Sequence, residues 1–97
     1  MPGSTTSKLI SCYYWVYVLE SIADKKRYIG FTNNLKKRLL EHSQGKVFST
    51  SYRQPLKLIC AELSLNIEDA KRREKYLKTT GGRRFLAKRL KSYYINY

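Results

Sequence analysis

Histidine occurs once in this chain, at His42, and cysteine twice, at Cys12 and Cys60. These scarcities exclude whole classes of chemistry. A zinc site held by two or more histidines cannot be assembled, and no Cys-x-x-Cys spacing is present for a metal ribbon or a redox motif. Two cysteines alone suggest no disulfide framework. Acids are scarce as well: seven Asp and Glu stand against twenty Lys and Arg, a formal charge of +13. Long apolar runs are missing. The longest apolar-looking stretch, Leu9 to Leu19, is well short of the roughly 20 residues a membrane-spanning helix needs.

What is present fits one small domain. The 97 residues leave no room for a second, and 42% of them are apolar, enough for a modest core with any ligand site close to the surface. The positive surplus points to a polyanionic partner, because each phosphate neutralised by Lys or Arg releases condensed counterions. The basic residues cluster as Lys36-Lys37-Arg38, Lys71-Arg72-Arg73, Arg83-Arg84 and Lys88-Arg89. An anionic membrane is the competing partner, but no basic amphipathic segment with a wide apolar face stands out. Lys8, the apolar-looking run and the small-x-small Ser21-Ile22-Ala23 have the outline of a signal peptide. The run is rich in Tyr, however, and Tyr28-Ile29-Gly30 follows at hairpin distance, so a cytoplasmic protein without membrane attachment is expected.

Residues 1–8 carry Pro, Gly, Ser and Thr without pattern; 1–12 are expected as a mobile N-terminal tail, 13–92 as the folded domain and 93–97 as a C-terminal tail. Tyr13 to Glu20 is dense in strand formers. A polar turn over Ser21 to Lys26 leads into a second strand, Arg27 to Phe31, with Gly30 ending it. Thr32-Asn33-Asn34 supplies caps for a helix from Leu35 to His42 or Ser43, closed by Gly45. A basic loop over 46–55 precedes a third strand, Leu56 to Leu63. Asn66 caps a second helix whose first turn holds Glu68 and Asp69, where the helix dipole favours acids. That helix runs to Lys78 or Thr79 and is expected to stop at Gly81-Gly82, with a last helix over Arg83 to Ser92. The order β-β-α-β-α-α predicts an α+β domain, a small three-stranded and mainly antiparallel sheet flanked by helices.

Several polar residues fall where apolar ones belong. With Leu35 set at zero on a helical wheel, Leu39 lies about 40° to one side. His42 lies about 20° and Arg38 about 60° to the other, so both border the buried stripe. In the second helix Ile67, Ala70 and Leu77 define the apolar face, and Glu74 falls among them. A carboxylate there is costly unless a cation or hydrogen bonds compensate it. The bland alternatives are a salt bridge for Glu74, an ordinary stripe-edge base for Arg38 and a helix C-terminal cation for His42. Tyr17 and Tyr28 pair across the hairpin, and packing alone would account for either, since nine Tyr occur.

Taken in order, these residues resemble the GIY-YIG nuclease family. Trp15-Val16-Tyr17 departs from the first family motif but keeps its Tyr, and Tyr28-Ile29-Gly30 matches the second letter for letter. The family's helical Arg falls on Arg38, its following His or Tyr on His42, and its metal-binding Glu on Glu74 within Ala70-Lys71-Arg72-Arg73-Glu74. The likeness runs from about Tyr13 to Leu90 and is greatest to the small single-domain bacterial members. It is also similar to the nuclease module of the excision-repair endonuclease, and thus to DNA repair. That module carries a Lys after its second motif, where this chain has Phe31.

The resemblance implies a metal-dependent endonuclease that hydrolyses phosphodiester bonds, with DNA the expected substrate. Glu74 would hold one Mg²⁺ or Mn²⁺, hard ions that choose oxygen ligands, and the ion would stabilise the leaving 3′ oxygen. In-line attack would come from a water oriented or deprotonated by Tyr17, acting as base if nearby cations lower its pKa. Tyr28 and His42 would support the proton transfer, and Arg38 would bind the phosphate with its planar fork. Lys36, Lys37, Arg38, Lys46, Arg53, Lys71 and Arg72 are candidates for backbone contacts that position nucleic acid without reading sequence. No recognition module accompanies them, so a protein partner that supplies specificity fits the expectation. The alternative is a structure-selective nucleic-acid-binding module that keeps the scaffold and does not cut.

Overall fold

The computed structural model describes residues 13–96. The tail expected over 1–12, with Cys12, lies outside the described residues, as does Tyr97. Strands β1 (Tyr14–Ser21), β2 (Arg27–Thr32) and β3 (Leu56–Ser64) form one antiparallel sheet in the order β2-β1-β3. Helices α1 (Leu35–Ser43) and the single turn α2 (Phe48–Ser51) separate β2 from β3, and α3 (Ile67–Leu77), α4 (Thr80–Arg89) and α5 (Lys91–Asn96) follow. The α+β architecture expected from the sequence is the observed one. Two elements are additional: α2 within the basic loop, and α5, which makes 93–96 helical and starts one residue after α4. No helix among the described residues is long and apolar enough to cross a membrane.

The centre strand β1 is buried from Val16 to Ser21 because both of its faces are covered. Alternation of side chains divides the sheet. Val16, Val18, Ile29 and Cys60 face one way and meet Ala70, Leu77, Leu86 and Leu90 from the helices beyond β3. Tyr17 and Leu19 face the other way, toward α1. Full burial of a side chain such as Leu77 or Leu86 is worth roughly 1.5–3 kcal/mol, so this first face carries most of the packing energy. A shift in register between Val18 and Leu19 offsets the rest of β3, so that Leu19 pairs Leu58.

The helix ends follow the expected chemistry with one exception. Asn34 accepts from the Lys37 amide at 3.1 Å, and Asn66 from the Glu68 and Asp69 amides at 2.8 and 3.4 Å. The Gly81-Gly82 pair does not separate two helices. Thr79 caps α4 through the Gly82 amide at 3.1 Å, and both glycines lie within its first turn. Gly82 is there for close approach: a Cβ would come within 2.2 Å of the Tyr76 carbonyl oxygen and 2.4 Å of the Leu77 Cα. Those are backbone atoms and cannot swing aside. Gly82→Ala is therefore expected to lower stability by about 1–3 kcal/mol, the usual cost of forcing a methyl group into a closed contact. Urea denaturation followed by far-UV circular dichroism would measure this, and an unchanged midpoint would contradict the close α3–α4 contact.

Candidate active site

Pairing of β1 with β2 places Tyr17 opposite Gly30 and Leu19 opposite Tyr28, so both tyrosines share the α1 side of the sheet. Tyr17 is fully buried. Its ring covers Gly30 so closely that a Cβ on Gly30 would lie 2.3 Å from the phenol oxygen. The sequence suggested that Gly30 ends β2, but the strand continues to Thr32. The residue is a glycine because the Tyr17 ring needs its space.

From α1, His42 projects onto the two tyrosines and is itself 2% exposed. Its ring centroid is 5.6 Å from that of Tyr17 and 5.1 Å from that of Tyr28, both edge-on. The Tyr17 hydroxyl lies 2.9 Å from His42 Nε2, and His42 Nδ1 lies 2.7 Å from Thr50 Oγ1. Thr50, on α2, is buried and stands 3.5 Å from the Val47 carbonyl. One assignment of hydrogens satisfies every group: Tyr17 donates to Nε2, Nδ1–H donates to Thr50, and Thr50 donates to Val47. The Gln54 side-chain amide donates to the His42 carbonyl and further fixes the end of α1.

Arg38 stands one turn before His42 at the border of this cluster, and its side chain is 36% exposed. Its Nη1 donates to Glu41 Oε1 at 3.1 Å. The guanidinium borders an open groove of about 460 Å³ lined also by Phe31, Thr32, Asn34 and Lys37. The charge of Arg38 acts on both buried neighbours. Burial pushes the Tyr17 hydroxyl up to about 12 even though Arg38 pulls it down. Burial, followed by the charge of Arg38, pushes His42 below its ordinary value. The interaction with Tyr17 raises Arg38 further, so it stays cationic. The cluster at neutral pH is therefore a neutral phenol, a neutral imidazole and a permanent cation. Desolvation outweighs the nearby charge at Tyr17, so its hydroxyl is shifted opposite to the lowering expected of a phenol that acts directly as base.

Glu74 occupies the core-facing stripe of α3, between Ala70 and Leu77, which are 0% and 1% exposed. Its carboxylate accepts from Lys78 Nζ at 3.2 Å, and the side chain keeps 25% exposure. No hydrogen bond joins it to Tyr17, His42 or Arg38 among the described residues. The helix still relates it to them. Ile67 lines the Arg38 groove, and Glu74 follows Ile67 by seven residues, two turns and about 10 Å along one face of α3. No group of three or more His, Cys, Asp or Glu able to hold a metal ion is present among the described residues. Glu74, and Glu41 in the lining of the Arg38 groove, are carboxylates that could each offer a hard divalent ion one oxygen ligand, with water and phosphate oxygens completing the shell.

The structure thus brings Tyr17, Tyr28, Arg38 and His42 together and holds Glu74 on a separate helix. Thr50 was missed by sequence reasoning. It lies in a short polar segment with no periodicity, and only its contact with His42 marks it. Of the basic candidates, Lys36, Lys37, Lys46 and Lys71 are exposed. Arg72 is exposed and paired with Asp69 at 3.0 Å. Arg53 turns inward: its side chain is 15% exposed, with Asp24 3.8 Å away. Two of its nitrogens, Nε and Nη2, are buried without a hydrogen-bond partner, so most of its guanidinium is turned away from solvent.

Comparison with known proteins places the chain in a family. The family model of the GIY-YIG catalytic domain matches residues 13–91. A UPF0213 protein of Syntrophus aciditrophicus is 39% identical over 66 residues, which cover 66% of this chain and 75% of that protein. One from Limosilactobacillus reuteri is 43% identical over 68 residues, covering 67% and 70%. The solution NMR structure of a UPF0213 protein from Bacillus halodurans matches with a TM-score of 0.51 and 28% identity, over 78% of this chain and 83% of that one.

The lowered His42 pKa sets a pH dependence of folding. Its ordinary value is 6.5, so below that pH the unfolded chain takes up a proton that the folded chain resists. The stabilisation from neutral His42 is complete above about 6.5 and is lost as pH falls toward the lowered folded value. Thermal unfolding of the wild type against pH should show this decline, and His42→Gln should flatten it. An equal slope in both proteins would remove His42 as its source.

Proposed function

We propose that this chain, which belongs to the GIY-YIG family, is a metal-dependent endonuclease that hydrolyses phosphodiester bonds of nucleic acid, with DNA the expected substrate. The observation that carries the reading is the hydrogen-bonded chain of Tyr17, His42 and Thr50, set beside the permanent charge of Arg38 at an open groove. A binding surface has no need of a buried phenol hydrogen-bonded to a neutral imidazole. A site that must accept a proton from water has such a need.

Arg38 would hold the scissile phosphate and neutralise the charge that develops on it. Tyr17, buried in this structure, would orient an attacking water admitted to its hydroxyl when a phosphate engages Arg38. As the water oxygen bonds to phosphorus, its proton passes to the Tyr17 oxygen while the Tyr17 proton moves to His42 Nε2. No free phenolate is formed, which suits a hydroxyl held near 12. Thr50, 2.7 Å from Nδ1, would accept from Nδ1–H and so hold the imidazole in the tautomer whose Nε2 accepts. Tyr28 packs against His42 and limits its rotation. Glu74 would bind Mg²⁺ or Mn²⁺ after giving up Lys78, and the ion would supply charge stabilisation to the departing oxygen.

The test is cleavage of labelled single-stranded, duplex and branched DNA, and of RNA, with Mg²⁺, Mn²⁺ or EDTA. Cutting is expected only with metal and is expected to vanish in Glu74→Ala while binding persists. Wild-type activity in Glu74→Ala would sink the metal assignment. Salt-sensitive binding without cutting on any substrate would reassign the chain as a binding module.

Tyr17→Phe isolates the proton path. It should lower kcat by about 10²–10⁴-fold, the range of general acid–base contributions, with little change in affinity. A kcat within a fewfold of the wild type would overturn the relay through Tyr17.

A further inference from the structure

A second cationic groove lies on the face of the sheet away from Tyr17, at the opposite end of β2 from Arg38. Glu20 pairs with Arg27 across β1 and β2, and by alternation both face away from Tyr17. Together with Lys25, Lys26, Arg83 and Tyr94 they line a groove of about 820 Å³, larger than the one beside Arg38. None of these residues is part of the Tyr17–His42 cluster.

The groove is built from features that cohere. Its one acid, Glu20, is 2% exposed and is occupied from within: Tyr93 donates to one carboxylate oxygen at 2.6 Å and Tyr94 to the other at 2.9 Å. Tyr94 in turn accepts from Arg27 Nε at 2.9 Å. The Arg27 guanidinium sits 5.2 Å over the Tyr94 ring, and Tyr93 meets the same ring edge-on at 4.9 Å. The phenol ring is thus fixed in orientation before any ligand arrives. Lys26, Arg27 and Arg83 take part in none of the ion pairs among the described residues. Lys25 holds a left-handed backbone, φ 62°, at a turn position that Gly or Asn occupies more comfortably. A lysine at that position is consistent with use of its charge at the hairpin tip.

We propose that this groove binds a second segment of nucleic-acid strand, separate from the segment that meets Arg38. Phosphates lie against Lys25, Lys26 and Arg83, and a base or sugar rests on the fixed Tyr94 ring, the combination of cationic track and aromatic platform that suits a strand without sequence preference. Phe31, which lines the Arg38 groove, lies on the same face of β2 as Arg27, so a strand long enough to run along β2 reaches both grooves. The proposal rests on the nucleic-acid partner of the nuclease reading, not on cutting.

The test uses Lys26→Gln with Arg83→Gln in the full chain, two exposed residues outside the network of Glu20, Tyr93 and Tyr94. Binding is read in EDTA on a Glu74→Ala background, with a short DNA strand and one several times longer, across a range of salt. The groove variant should bind the long strand about tenfold more weakly, with a salt slope shallower by about 1.4, or about 0.7 for each single-strand phosphate that the variant no longer neutralises. Short-strand affinity and melting temperature should be nearly unchanged. Equal long-strand affinity and slope in the two proteins would overturn the proposal. So would a mononucleotide that binds in a Lys26- and Arg83-dependent way while the long strand shows no shift, since the groove would then be a nucleotide pocket. If the wild type cuts nothing yet the binding shift appears, the nuclease reading fails and the groove assignment stands.

Discussion

The site depends on the contact between the Tyr17 ring and the bare backbone of Gly30. It is a consequence of register: in the antiparallel ladder the two residues are direct partners, and the absence of a Cβ lets the phenol lie flat on β2. A slip of one residue would turn Tyr17 toward α3 and α4 and bring Val16 or Val18 out toward α1. The apolar face beyond β3 guards against that slip, because Val16, Val18 and Ile29 find their packing only in this register. The packing energy of one face therefore holds the chemistry of the other in place. With Tyr17 fixed, the hydroxyl meets His42, His42 meets Thr50, and the loop after α1 gains a helical turn to present that threonine.

Charge is distributed by a similar economy. Five of the seven acids, Asp24, Glu41, Glu62, Asp69 and Glu74, are engaged in ion pairs with neighbouring cations. Glu20 is hydrogen-bonded by two tyrosines. The Arg73 pair with Glu62 is bidentate at 2.8 and 3.2 Å and lies over the Phe85 ring, so it belongs to the packing of α3 on the sheet. With the carboxylates turned to local partners, the surplus of Lys and Arg projects a positive field from the surface. Such a field raises the local concentration of polyanions and speeds their encounter. Exposed pairs of this kind add little stability; their larger effect is on which surface remains cationic.

Much of the architecture was legible because it is local. Strand formers in Tyr14–Ser21, the Asn34 and Asn66 caps and the stripe of Ala70 and Leu77 announce their elements through nearest-neighbour rules, and the structure agrees on each. The Gly81-Gly82 pair misled for an equally physical reason. Glycine is common both at helix ends and where two backbones touch, and only the position of Leu77 beneath Gly82 shows which use applies. The inward turn of Arg53 was hidden in the same way, since nothing in the local sequence places Asp24 beside it.

By itself the sequence determined the sign and size of the charge, the order of elements, and the spacing that puts a Tyr, an Arg, a His and a Glu on particular faces. These follow from composition and from the periods of strand and helix, which act over a few residues. Tertiary structure alone decided that His42 lies on Tyr17, 25 residues away, and that Tyr94 closes on Glu20 from 74 residues away. It also decided the protonation states, because Tyr17 near 12 and a lowered His42 reflect burial produced by packing. Desolvation belongs to no residue type. It exists only once distant parts of the chain have excluded water together.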